Sequence, residues 1–311
     1  MKRNLLIAAI ALLAVAFVSC QKDGVYKPKK RISKVYNEWK TTRVVATAND
    51  TTTSADSVAP YICQEWTWGK KTLTSIIYKE YDGDGSWSIN YSYDDKNRIS
   101  VCSSGDEKAE YTYGDDNMLQ SIKFTDDSDD VTVLKIAYDG KVPASITTEY
   151  TFTNDKKLSN FAKSVIPSYI CAAIEADKLH LKSTTVTRSM TSVFEWDGEN
   201  ISRVVTTDVD NDKSTTTYEY DDKLNPFRGM YANLYDEEPS YDIIYSKNNV
   251  TKITDSYVWD NTTYTDEAEF SYEYDGKLPI KLIRTFESEY EYSGKTTTIT
   301  SVYTTTYEYT K

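Results

Sequence analysis

The sequence predicts a mainly β fold: a large antiparallel meander of repeated hairpins forming a curved or barrel-like sheet, with one short helical insert. Three observations predict it. The chain carries 27 tyrosines and abundant threonine against few aliphatic residues, a bias toward strands rather than helices. One short unit, an aromatic strand end, a polar turn and an aliphatic strand start, recurs along the whole length. The arms between turns alternate: Tyr218 and Tyr220 share one face while Thr217 and Glu219 share the other, and Tyr272 and Tyr274 alternate with Ser271 and Glu273. Alternation of this kind gives one buried aromatic face and one wet face.

The first element is not part of that sheet. Met1-Lys2-Arg3, an apolar run from Leu5 to Val18 and then Ser19-Cys20 read as an export signal over residues 1–19 that is removed. The apolar run is shorter than the ~20 residues a helix needs to cross a bilayer. Phe17-Val18-Ser19-Cys20 resembles the lipobox of bacterial lipoproteins, which implies acylation of Cys20 and a membrane anchor. Residues 20–24 form the lipidated N-terminus. Gln21, where inner-membrane retention is associated with Asp, favours outer-membrane delivery, and Gln21-Lys22-Asp23 is similar to the surface-export signal of Bacteroidetes lipoproteins. A free cysteine after an ordinary secretory signal is the plainer alternative.

From Val25 to Lys311 the reading is one repeat-built β domain. Its turns run Tyr26 to Ile32, Trp68 to Leu73, Tyr93 to Ile99, Tyr113 to Leu119, Tyr138 to Val142, Trp196 to Ile201, Tyr220 to Leu224, Tyr245 to Val250 and Tyr274 to Leu278, with Tyr307-Glu308-Tyr309 a truncated tenth. Asp-Gly and Asp-Asp-Lys at the bends tolerate left-handed backbone, so each copy reads as a hairpin. If every copy contributes two arms, roughly eighteen strands result, too many for a flat sheet because twist accumulates. Tyr138-Asp139-Gly140-Lys141-Val142-Pro143 and Tyr274-Asp275-Gly276-Lys277-Leu278-Pro279 are nearly identical, and their prolines suit strand ends. Tyr91 to Ile99 resembles the YD repeat of RHS-type proteins, with Asn97 where that motif usually has Gly. Lipobox, degenerate repeats and central insert together are similar to uncharacterised Bacteroidales lipoproteins with a porin-like or curved-meander domain, a resemblance that implies architecture and no chemistry.

Two segments interrupt the repeat. Residues 46–59 read as a Thr/Ser-rich loop, in which Asp50-Thr51-Thr52 and Asp56-Ser57-Val58 match a short O-glycosylation pattern of exported Bacteroidetes proteins at Thr51 and Ser57; a bare loop is the alternative. Within residues 154–181, Leu158, Phe161, Ala162 and Val165 fall at helical spacing, Pro167 interrupts, and Ile170, Ala173, Ile174 and Leu179 resume. Two short helices are expected there, as a plug on the concave side or as cover for a sheet edge. Cys171 reads as a buried small hydrophobe, and Cys63 and Cys102 as candidates for a disulfide.

Most chemistry is missing. Removing residues 1–19 takes Lys2 and Arg3, leaving 34 basic against 48 acidic residues, a charge of −14. That argues against nucleic acid. Lys27-Pro28-Lys29-Lys30-Arg31 is a local exception, a solvated strand start or a contact with anionic headgroups. The single histidine, His180, lacks the partners of a catalytic triad. Asp208 to Asp212 followed by Glu219 imitates a calcium loop, but Lys213 stands where glycine is needed, and Asp126 to Asp130 reads as a second solvated tip. Neither a metal nor a cofactor is expected. Three function classes remain: a non-catalytic surface protein offering Trp66, Trp68 and Trp87 to a glycan, an assembly component docking an outer-membrane protein by strand addition, and a carboxylate-based hydrolase. A lipid-embedded barrel is disfavoured by charged residues in many arms.

Overall fold

A computed structural model of the chain describes residues 25–311 except 48–49, 82–84, 129, 153–157, 168–169, 172–173, 176–185, 231–244, 260–261, 293–294 and 311. Among the described residues the strands are β1 (Ile32–Ala46), β2 (Thr51–Trp68), β3 (Leu73–Lys79), β4 (Ser86–Tyr93), β5 (Ile99–Ser104), β6 (Glu107–Tyr113), β7 (Leu119–Thr125), β8 (Val131–Asp139), β9 (Val142–Phe152), β10 (Val186–Asp197), β11 (Asn200–Thr207), β12 (Lys213–Tyr220), β13 (Val250–Trp259), β14 (Thr262–Asp275), β15 (Leu278–Tyr292) and β16 (Lys295–Tyr309). Each is antiparallel to its sequence neighbours, and β1 pairs with β16 from Ile32↔Tyr309 to Ala46↔Thr296. The sixteen strands therefore close into an up-and-down barrel. Closure resolves the accumulated twist of a wide sheet.

Sixteen rather than eighteen strands are found because, among the described residues, three expected arms are not strands and the truncated tenth copy adds one, β16. Among the described residues β1 is the first strand, so the copy at Tyr26 supplies only its outgoing arm, and the copies at Tyr220 and Tyr245 flank residues 221–249, which link β12 to β13. Tyr26 and Tyr245 are instead buried rings, and the Tyr26 hydroxyl donates to the Pro226 carbonyl at 2.9 Å.

The alternation read from the sequence sorts the barrel into a packed inside and a wet outside. Ile76, Ile89, Cys102, Ala109, Ile122, Leu134 and Ile146 are buried inward, while the faces between them carry Ser, Thr, Lys and Glu. Ion pairs join neighbouring strands outside: Lys79 to Glu65 at 2.8 Å, Lys135 to Glu149 at 2.7 Å, Arg203 to Glu195 at 2.6 Å and Lys252 to Glu267 at 2.9 Å. This is the reverse of a lipid-embedded barrel, whose outer band is apolar.

The interior is filled partly by the insert. Helix α1 (Asn160–Val165) starts where the Ser159 hydroxyl accepts the Ala162 N–H at 3.0 Å, the usual N-cap arrangement. Phe161, Ala162, Val165, Ile166, Ile170, Cys171 and Ile174 are all buried, and Phe161 lies 5.8 Å from the inward-facing Phe124. Of the two expected placements, the plug is the one observed. Leu179 and His180 lie outside the described residues.

Strand lengths are unequal. β3–β8 have six to nine residues, whereas β1, β2, β15 and β16 have fifteen to eighteen. The order β15-β16-β1-β2 thus rises as a four-stranded wall on one side of the barrel. The expected loop at residues 46–59 is largely part of it: Thr51–Val58 pair with Ala46–Trp39. Polarity suggested a loop, but β-branched threonine fits an extended backbone and a partner strand was present to accept it.

Candidate functional site

One end of the barrel carries the short Asp/Gly/Asn turns, and its construction explains the repeat. A β-bulge immediately precedes the terminal aromatic of β2, β4, β6, β8, β10, β12 and β14. Bulges re-aim the following side chain. An aromatic side chain at the end of each of these strands then donates to a carbonyl at the start of the preceding strand. Trp68 Nε1 reaches Ile32 at 2.7 Å, Tyr93 reaches Leu73 at 2.7 Å, Tyr113 reaches Ile99 at 2.8 Å and Tyr138 reaches Leu119 at 2.9 Å. Trp196 Nε1 reaches Pro143 at 2.8 Å, Tyr220 reaches Ile201 at 2.6 Å, Tyr272 reaches Val250 at 2.9 Å and Tyr309 reaches Pro279 at 2.7 Å. The circuit runs around the entire end. In β14 the donor is Tyr272, because the Tyr274 hydroxyl is bonded to Asp221.

The turns support this ring from below. Asp94 accepts the N–H groups of Lys96 and Arg98, each at 2.9 Å, and pairs with the Arg98 guanidinium at 2.6 Å. Burial opposes ionisation of Asp94, but those donors and the cation hold its carboxyl below the usual aspartate range. Asn97 and Asn117 adopt φ of 59° and 67°, the left-handed conformation that asparagine tolerates where the repeat elsewhere uses glycine.

The three tryptophans proposed as a stacking surface divide. Trp66, 6 % exposed, belongs to the core; it packs against Tyr26, Trp68 and Phe227 and donates to Gln64 at 2.9 Å. Trp68 is engaged in the ring of bonds, with the Arg31 guanidinium 5.0 Å above its centroid. Trp87 stands apart, stacked on Tyr78 with centroids 4.1 Å apart and planes 6° from parallel. The barrel's inward faces claim these rings, which proximity to loops in the sequence did not reveal. The exposed aromatic pair is elsewhere: Tyr257 and Tyr264, 40 % and 44 % exposed, stack across β13 and β14 at 5.5 Å.

The cysteines are not bridged. Cys63 and Cys102 are buried free thiols on β2 and β5. Two strands intervene, which puts them roughly 14 Å apart along the sheet, well beyond the ~7 Å limit for a disulfide. Burial pushes the Cys102 thiol up to about 12, against the hydrogen bond from Tyr111. Burial and the Glu175 charge push Cys171 to about 12 as well, with Lys163 opposing. Such thiols are poor nucleophiles at neutral pH.

The acidic tips are self-contained turns. Asp208 accepts the N–H groups of Asp210 and Asp212, both at 2.9 Å, and Asp126 those of Ser128 and Asp130 at 2.8 and 2.9 Å. Thr51 and Ser57 are exposed on β2. Cys20 lies outside the described residues.

No protein-family profile matches the chain, and no curated protein matches it. Among solved structures it is similar to a porin-like protein from Bacteroides uniformis ATCC 8492, at 12% identity over 92% of this chain and 100% of that one, with a TM-score of 0.42. A porin-like protein from Bacteroides vulgatus ATCC 8482 is similar at 10% identity over 91% of this chain and 99% of that one, with a TM-score of 0.33.

Proposed function

We propose that the protein is a non-catalytic, lipid-anchored barrel of the outer membrane, exposed at the cell surface, that holds its strand wall in water. The observation that carries this reading is the polarity of the barrel: apolar residues and α1 fill the inside, and cross-strand ion pairs cover the outside. A single lysine or arginine facing lipid at mid-bilayer costs about 2–4 kcal/mol, and here such residues recur around the circumference. A lipid on Cys20 supplies the attachment that such a barrel cannot make with its strands. Cys20→Ala is expected to release the protein from membranes on fractionation. Firm retention of the variant, or a lipid-free domain that needs detergent to stay dispersed, overturns the reading.

An assembly role has its own support. Thr51–Val58 of β2 pair with β1 on one side, and among the described residues β3 joins β2 only from Gln64 onward. That leaves a strand edge for an added strand. Binding of an outer-membrane protein there would slow amide exchange at Thr53 and Ala55; exchange unchanged in the complex argues against it. A glycan ligand is better sought at Tyr257 and Tyr264 than at Trp66. O-linked sugars on Thr51 or Ser57 would sit on the wall, and the intact mass of the native protein tests for them.

A further inference from the structure

We propose that one sector of the turn end, around the start of β1 and the β2–β3 and β14–β15 turns, is a docking face for anionic lipid headgroups, built from two basic runs that the sequence keeps far apart. The inference rests on the anchor reading. Arg31 donates to the carbonyls of Gly69 and Lys70 at 3.3 and 3.1 Å and lies over Trp68. Those contacts bring the β2–β3 turn, with Lys70 and Lys71, beside the arm that carries Lys27 and Lys29. Lys30 reaches Asp275 at 3.2 Å, which places the β14–β15 turn and its Lys277 at the same border. Lys27, Lys29, Lys70, Lys71 and Lys277 are exposed.

The acids beside this border are engaged locally, Asp275 with Lys30, Asp222 with Lys223, and Glu308 with the hydroxyls of Ser33 and Tyr36, while the exposed Asp95, Asp115, Asp116, Asp139 and Asp197 lie at the other turns of the same end. The opposite end has acidic tips, its turns carrying Asp126, Asp127, Asp208, Asp210 and Asp212. A chain with a charge of −14 after removal of its signal would be repelled as a whole by an anionic surface, so a basic face matters only if it is the face presented.

Chain geometry presents it. Val25 starts at this end, and five residues separate it from Cys20, a reach of roughly 17 Å at full extension. Anchoring at Cys20 therefore keeps the turn end near the bilayer, and the bound lipid supplies the proximity that charge alone would not. At physiological salt the attraction acts over about 8 Å, so contact depends on that tether.

The test uses the full lipidated chain in vesicles of phosphatidylcholine, or of phosphatidylcholine with part replaced by phosphatidylglycerol, treated with an amine-acylating reagent and read residue by residue by mass spectrometry. Lys27, Lys29, Lys70, Lys71 and Lys277 are expected to label several-fold more slowly on the anionic vesicles, with the difference erased by high salt. Lys213 and Lys295, at the far end, should label alike on both. Lys70→Glu/Lys71→Glu should return Lys27 and Lys29 to their phosphatidylcholine rates while flotation stays unchanged. Equal labelling of both ends on both lipids, or no effect of the double variant, overturns the proposal. Failure of the anchor reading is distinct: the wild-type chain would not float with phosphatidylcholine vesicles. In that event salt-sensitive flotation confined to phosphatidylglycerol vesicles still supports the basic face, and its absence rejects it.

Discussion

The two ends of this barrel are built on opposite rules. At the turn end every pair of strands finishes in a ring that donates to a neighbouring carbonyl, the bends after Tyr93, Tyr113 and Tyr220 are held by Asp94, Asp116 and Asp221, and the rings are partly or fully buried. At the far end the wall of β15, β16, β1 and β2 rests mainly on paired backbones, with scattered side-chain contacts such as Thr41 to Ser301 at 2.9 Å: Thr51–Ser57 are all exposed, and its side chains are mostly threonine, serine and charge. The difference teaches that the repeat encodes one end and not the whole strand. Strand length varies at the other end, where no recurring ring-to-carbonyl bond among the described residues sets a common height.

Substitutions should separate the ends by size of effect. The largest is expected between them, where the plug meets the wall of the barrel. Phe124 is 2 % exposed and faces Phe161, so Phe124→Ala should cost about 3–5 kcal/mol in urea unfolding. Thr53→Ala on the exposed wall should stay within about 0.5 kcal/mol. Comparable losses at the two positions would mean that the wall is not independent of the core.

The ring of donors comes next. Tyr113→Phe keeps the aromatic volume and removes only the bond to Ile99, an expected loss of about 1 kcal/mol. Tyr309→Phe, which removes the bond from the last strand to Pro279 on β15, should cost a similar amount although Tyr309 also borders the β1–β16 seam. A much larger loss at Tyr309 would show that the closing strand is held by its bond to β15 as much as by the β1–β16 ladder.

Much of this was legible in advance. Alternation gave the two faces, the Asp-Gly bends gave the turns, and helical spacing at Phe161, Ala162 and Val165 gave α1. Closure was not legible, since pairing of Ile32 with Tyr309 is a contact between chain ends that no local pattern records. The wall was misread because threonine is at once polar and β-branched, and its partner strand decided between loop and strand. The tryptophans were assigned by nearness to loops, which says nothing about the inward face they share. One signal was present and unused: the residue closing each arm is Tyr or Trp and never Phe. That restriction has no purpose in a core that needs only rings, and it identifies positions where a ring must also donate.

A smaller effect, confined to acid, is expected at Asp94. Its folded-state pKa lies below the usual aspartate value, so its contribution is complete above that value and is lost as pH falls through the folded pKa. Asp94→Asn should therefore be less stable than wild type at neutral pH, and the gap should close on acidification. A gap that persists at low pH would assign the effect to geometry of the turn rather than to charge.

The smallest change in stability, with the largest change in behaviour, is expected on the edge of β2. The Thr47 N–H donates to the Asp50 carbonyl at 2.8 Å and closes the β1–β2 hairpin. Hydrogen-bonded pairs alternate from there, so Thr51, Thr53, Ala55 and Ser57 turn their backbone groups away from β1. Two of those outward N–H groups are covered by side chains: Asp50 accepts from Thr51 at 2.8 Å and Asp56 from Ser57 at 2.9 Å. Carboxylates thus occupy donors that a further strand would need, and they add charge to an edge otherwise open to pairing. Asp56→Ala removes one of them where water can replace the lost bond, so unfolding should shift by no more than about 0.5 kcal/mol. The same change should make the lipid-free domain self-associate at concentrations where wild type sediments as a monomer. A variant that loses marked stability would place Asp56 among the groups that hold the barrel together, and one that stays monomeric would show that the edge is protected by something other than its aspartates.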